Sequence, residues 1–467
     1  MGGAKALTSA VPAVLGEFHD VTFEQPTDSI RQRYAAGKKL RTRLPRAVQG
    51  EWIPARHRAN PVTTLATVND GRVKTLLPEK YRRMRASPFA FFRGAAVLMA
   101  SDLATQPSTG LAVQLCGDAH VHNLGAYAAP DGRLVFDIND FDETTPGPWE
   151  WDLKRLATSI VLAGGDCGQS DRRCEDGVRA MVASYRQHLR EFALMPFAQL
   201  ARHLITRGGD LRVLDAIFQA ARRVTPDRNL KKLTVQTRGG FRFHDKKPVL
   251  QHVPPRTAAR VARALQDYAT TLNAGRRRTF ERYRPADVAF KLVGTGSIGT
   301  RDYVVLLFGN DANDPLFLQV KQELRSCYIP FLRPRPFVAH EGRRVAEGQQ
   351  MLQTATDPLL GYTRFGGHDY LVRQLADHKA GLAPTDLTGE RLLAYAHLCG
   401  EVLARGHART TDAAVLAGYV GGTRKLDAAI AEFADAYAAQ TRTDYRLFVR
   451  ALRAGRIEAY RDHRRAN

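Results

Sequence analysis

From about residue 286 the sequence DVAFKLVGTGSIGTRDYVVLLFGNDANDPLFLQVKQE departs from everything around it. Two glycine- or Asn/Asp-rich breaks divide it into three apolar runs, which predicts strand, turn, strand, turn, strand. Three strands in succession must pair with one another and then bury a face against something else. The flanks supply helices. PWEWDLKRLATSIVLAG spaces Trp151, Leu153, Leu156, Ile160 and Leu162 as a helix does, and SPFAFFRGAAVLMASDLA opens on Ser87 as cap and Pro88 at the first helical position. The pattern predicts an α+β protein, with residues 1–80 as an N-terminal extension that includes a helix in DSIRQRYAAGKKLRTRL. A helical lobe over 81–284, a strand-rich lobe over 285–380 and C-terminal helices over 381–467 that rejoin the helical lobe complete the expected organisation.

At 467 residues the chain exceeds what one hydrophobic core usually serves, consistent with more than one lobe. Its 69 basic and 47 acidic residues leave a net charge of +22, a field that favours anionic partners such as nucleotides and phosphorylated compounds. Nucleic acid is the less favoured partner, because the arginines are scattered without interleaved aromatics. No apolar run approaches the roughly 18 residues of a membrane span, and the opening stretch has no signal-peptide pattern, so a cytoplasmic location is expected. The five cysteines show no C-x-x-C spacing, which argues against a zinc knuckle or disulfide framework.

Chemistry concentrates in CGDAHVHNLG, residues 116–125, and in DINDFDE, which follows at 137–143. Asp118 can accept a proton from a hydroxyl or hold a nucleophile in line. Asn123 offers a neutral oxygen, and Asp140 and Asp142 offer anionic ones, a donor set suited to Mg2+. Some 170 residues later, GTGSIG places Gly294, Gly296 and Gly299 in G-x-G-x-x-G spacing around Ser297. Such a turn lets backbone N–H groups approach phosphates, although a plain hairpin would read the same. Lys321 lies late in an otherwise apolar strand, where a cation needs an anion; a snorkelling edge lysine is the plainer alternative.

Together these parts resemble the protein-kinase-like superfamily, in particular its aminoglycoside and choline phosphotransferase branch. CGDAHVHN is similar to that branch's H-G-D-x-H-x-x-N loop with Cys116 in the first position, NDF at 139–141 is similar to its I-D-F element, and WDLKRLA to its following helix. The resemblance implies ATP and Mg2+ as cofactors, Asp118 as catalytic base, and Asn123 and Asp140 as metal ligands, with Asp142 a further candidate. Asp152 would be an anchor for the loop. Gly294, Gly296, Ser297, Gly299 and Lys321 would bind the nucleotide. Glu347, or alternatively Glu341, would be the helix glutamate that pairs with Lys321. The order of parts is reversed, since in kinases the glycine loop and lysine come first. A circularly permuted, two-lobed kinase-like fold reconciles the two. The chain from about 30 to 460 is also similar to the bacterial family known as domain of unknown function 2252, which names no substrate. An ATP- and Mg2+-dependent phosphotransferase acting on a small-molecule or protein hydroxyl is therefore expected. Two alternatives are a metal-dependent phosphoesterase or hydrolase using His120 and His122 as ligands, and a nucleotide-binding pseudokinase.

Overall fold

The computed structural model describes residues 28–457, apart from 207–211, 293, 295, 376–377 and 383–385. The first 27 residues of the expected extension, and the last ten of the chain, lie outside the described residues. The helix expected near the start spans Ile30–Arg43, opened by a reciprocal cap between Ser29 and Gln32. Ser87 caps Pro88–Gly94 by accepting the Ala90 N–H at 3.1 Å. The single helix expected there is two, because the chain leaves helical geometry at Ala95 before resuming as Ala96–Leu103.

At the centre of the helical body, Trp149–Asp166 is buried on every side from Trp149 to Gly164. Asp171–Leu194, Gly389–Thr410 and Lys425–Arg453 surround it and share its core. Two short antiparallel ladders border this body. Strand β1 (Ala112–Leu115) pairs not with the next strand but with β4 (Thr145–Pro148), while β2 (Leu124–Ala128) pairs with β3 (Leu134–Ile138). Leu115 stands opposite Thr145 and Leu124 opposite Ile138. The loops 116–123 and 139–144 consequently leave the two ladders together, and the Asn139 N–H donates to Asn123 O at 2.8 Å.

After a hairpin of β5 (Thr234–Thr237) and β6 (Gly240–Phe243) comes the main sheet, antiparallel throughout. It contains β7 (Leu250–His252), β8 (Arg284–Lys291), β9 (Asp302–Phe308), β10 (Pro315–Gln322), β11 (Gly361–Phe365) and β12 (His368–Gln374), in the order β11-β12-β10-β9-β8-β7. Val261, Leu265 and Tyr268 of helix Pro255–Thr270 cover one face over Val305, Leu307, Leu318 and Val320. Leu230, Phe243 and Leu250 cover the other over Val304, Leu306 and Phe317. With both faces buried, β9 and β10 read as nearly continuous apolar runs instead of alternating ones. This packing corrects the boundary expected at residue 284: β7 and the helices over 226–280 belong with the sheet. Their apolar stripes are helical in period, but their partner is a sheet face that only the folded chain presents. Among the described residues no helix is long and apolar enough to cross a membrane, and all five cysteines are free.

Candidate active site

One face of the central helix straps down the loop 116–123. Asp152 accepts the Cys116 and Gly117 N–H groups at 2.7 and 3.0 Å, Arg155 donates from Nε to Asp118 Oδ1 at 2.7 Å, and Ser159 Oγ accepts the Val121 N–H at 3.1 Å. Positions 152, 155 and 159 are the i, i+3, i+7 spacing of one helical face. Asp152 thus anchors the loop, as its place in the motif implied. Gly117, at φ +87°, sits where an added Cβ would lie 2.3 Å from Glu143 O, so the two loops touch at a point only glycine allows.

Burial is the largest influence on the Asp118 carboxyl and raises it to about 6, against the pull of Arg155. Asn123 Nδ2 donates to Asp118 O at 2.9 Å, tying one loop end to the other. The histidines serve the loop itself. His120 is buried, its Nδ1 accepts the His122 N–H at 3.2 Å, and its Nε2 lies 3.6 Å from Asp118 Oδ2. His122 packs edge-on against Phe89, with ring centroids 4.9 Å apart. Burial, helped by Arg93, lowers both imidazoles, His122 to about 4. Among the described residues no group of three or more His, Cys, Asp or Glu side chains is arranged to hold a metal ion.

The second loop meets the sheet through Lys321, whose Nζ donates to both carboxylate oxygens of Asp142. It also lies 4.0 Å from Asp140 Oδ1 and from Glu323 Oε1. Burial alone would lower the ammonium, but Asp142, Glu323 and Asp140 hold it above its ordinary value. Burial would likewise raise Asp140, yet Lys321, Arg373 and Lys379 outweigh it and keep this carboxyl below the usual range. Asp142 moves the other way, raised by burial and by Asp140 against Lys321. The period of two puts Gln319 and Lys321 on one face of β10. Gln319 bridges Asp302 (2.7 Å) on β9 and Arg373 (3.0 Å) on β12, making a polar stripe across three strands.

Asp118, Asn123, Asp140, Asp142, Gly294, Gly296 and Ser297 line one cavity. It shares Arg93, Asn123, Asp140, Gly294 and Ser297 with a larger cleft, about 1420 Å3 counted out to solvent, that Lys321, Arg373 and Lys379 also line. Gly299 does not line either space. Its φ of +98° and the Arg72 side chain beside it explain the glycine, and its carbonyl accepts the Val73 N–H at 2.7 Å. Arg83 donates to Gly294 O at 2.8 Å and Arg72 to Ile298 O at 2.7 Å, so segments from before the loop 116–123 hold the glycine turn.

Glu347 is not brought to Lys321. It faces solvent, 45% exposed, and pairs with Arg343 at 2.7 Å, while Glu341 pairs with Arg344 at 2.6 Å. On Glu341–Leu352 the inward face is formed by Gly342, Val345, Ala346 and Gln349, which turns Glu347 outward. The helix reaches the site through Arg344 instead, which donates to Asp142 O (2.9 Å) and Leu324 O (2.9 Å). Arg155, Arg344, Arg373 and Lys379 were not singled out in the sequence. Only Arg155, a charge inside an apolar helical stripe three residues after Asp152, carried a local signal.

Asn123 and Asp140 present oxygen donors of the type Mg2+ takes at one cavity, with Asp140 held in its ionised form, whereas both oxygens of Asp142 accept from Lys321. Neither a curated protein nor a solved structure matches the chain. Residues 72–451 match the family described as "Uncharacterized protein conserved in bacteria (DUF2252)". That match spans most of the sequence, and the chain belongs to the DUF2252 family.

Proposed function

We propose that the protein is an ATP- and Mg2+-dependent phosphotransferase of kinase-like, two-lobed and permuted architecture, acting on a hydroxyl acceptor. The observation that carries this reading is convergence. Asp118, Asn123 and Asp140 come from one loop pair and Gly294, Ser297 and Lys321 from the sheet and its turn far along the chain, yet they line two spaces that share Asn123, Asp140, Gly294 and Ser297 as walls. Bound ATP–Mg2+ would supply the transferable phosphoryl group and its countercharge. Asn123 and Asp140 would hold the cation, joined by Asp142. Lys321, Arg373 and Lys379 form a cationic wall for phosphates, and Lys379, lowered to about 7 chiefly by burial and by Arg373, gains from an added anion.

Asp118 has Oδ1 fixed by Arg155, which leaves Oδ2 to orient an acceptor hydroxyl and take its proton. A carboxyl near 6 is ionised at neutral pH and is a stronger base than an unperturbed aspartate. Thermal denaturation with ATP, with and without Mg2+, tests the reading. Stabilisation by ATP that grows with Mg2+ is expected; stabilisation by Zn2+ or Mn2+ alone, with no response to ATP, would favour the metallohydrolase alternative.

A further inference from the structure

Three cations that this mechanism leaves idle line the inner part of the cavity. Lys80, on helix Leu77–Met84, is 1% exposed, and its ammonium has one partner among the described residues, the neutral Asn69 Oδ1 at 3.4 Å. Among the described residues Arg72 donates to the carbonyls of Val68 and Ile298 alone. Arg93 packs over the Phe89 ring at 5.8 Å, and its buried Nε has no hydrogen-bond partner among the described residues. None of the three makes an ion pair among the described residues.

Five carboxylates face the same space, and none of them makes an ion pair with these three cations: Asp140 lies 4.0 Å from Lys321, and Glu143 acts on Arg72 and Lys80 only at longer range. Asp118 is held by Arg155 and Asp142 by Lys321, while Glu143 accepts the Cys327 N–H at 2.6 Å. Burial drives Glu323 far above the ordinary carboxyl range, toward its neutral form. A cation buried without an ion pair is disfavoured, and a ligand oxyanion is the simplest group to relieve it. Arg93 lines both this chamber and the cleft that holds Lys321, and the charges of Asp118 and Asp140 act on it. The chamber encloses about 90 Å3, room for a small anionic group and not for a folded protein.

We infer that the inner chamber is an oxyanion subsite, and that the acceptor is a small hydroxyl compound whose phosphate or carboxylate group is held by Lys80, Arg72 and Arg93. The term acceptor rests on the phosphotransferase reading; the oxyanion site rests on the three cations.

Thermal denaturation of the full chain in inorganic phosphate or in succinate, against chloride at equal ionic strength, tests it. At least one of the two oxyanions should raise Tm by several degrees, and which one does assigns the group as phosphate or carboxylate. Lys80→Met and Arg93→Gln should each remove most of that shift, and Lys321→Ala should retain it. The inference is overturned if neither oxyanion acts beyond chloride, if the shift survives in both variants, or if Lys321→Ala alone abolishes it. Should Lys80→Met fail to fold, Arg93→Gln, which is only half-buried, decides the matter. An oxyanion response without any ATP–Mg2+ response would sink the phosphotransferase reading and leave the subsite standing; the reverse would sink the subsite alone.

Discussion

Arg155 Nε lies 2.7 Å from Asp118 Oδ1, and the guanidinium that makes this contact is wholly buried. The central helix thereby fixes the direction in which the proposed base points. Burial at the same time makes that base easier to protonate.

Activity should accordingly depend on the ionised form of Asp118. With the carboxyl at about 6, turnover is expected to rise through pH 5 to 6 and level off above 7. Asp118→Asn preserves the contact to Arg155 but removes the charge. A rate loss on the order of 10²-fold, with ATP binding largely retained, is the expected outcome. Slow ATP hydrolysis or autophosphorylation provides the assay. Wild-type turnover in Asp118→Asn, with activity abolished in His120→Ala or His122→Ala, would transfer the chemistry to the histidines.

Asp140→Asn should separate metal from nucleotide. Losing the one carboxylate that three cations keep ionised should abolish the extra stabilisation that Mg2+ gives ATP, as well as turnover. Titrating Mg2+ at fixed ATP reads this directly, and an unchanged Mg2+ dependence would remove Asp140 from the metal site.

Lys321→Ala should weaken ATP binding while the sheet persists, because β10 remains buried by its apolar neighbours. It also leaves Asp142 without its partner. A modest fall in Tm is therefore expected alongside the binding loss, and circular dichroism should remain native.

Gly117→Ala should be among the most damaging single changes in the loop. It combines left-handed backbone with a contact 2.3 Å from Glu143 O. A loss of roughly 1–3 kcal/mol or more is expected by denaturant unfolding, from strain of this kind.

Glu347→Gln should have almost no effect on activity, since its pair with Arg343 is solvent-exposed and such pairs contribute about 0–1 kcal/mol. Arg344→Met should lower both stability and activity, because it frees the carbonyls of Asp142 and Leu324. A strong phenotype for Glu347→Gln would restore it to the site.

Local chemistry made part of this protein legible before folding. The apolar runs and the turn residues between them specified β8, β9 and β10, and the Ser87-Pro88 pair specified a helix start, because those signals act within a few residues of backbone. The density of polar groups in 116–123 and 139–143 likewise singled out those loops, since such groups, once buried, need partners or a ligand. Which partner each group takes was decided elsewhere. Glu347 and Glu323 are equally acidic in the sequence, but helix rotation turns the first to solvent while strand geometry keeps the second beside Lys321. Lys321 and Asp142 stand 179 positions apart, and Arg155 reaches Asp118 across 37. Pairings over such distances depend on which buried faces meet when the sheet docks on the central helix. Burial then converts ordinary charges into a held carboxylate, a held cation and three cations with no ion pair among the described residues, and burial is a property of the tertiary structure alone.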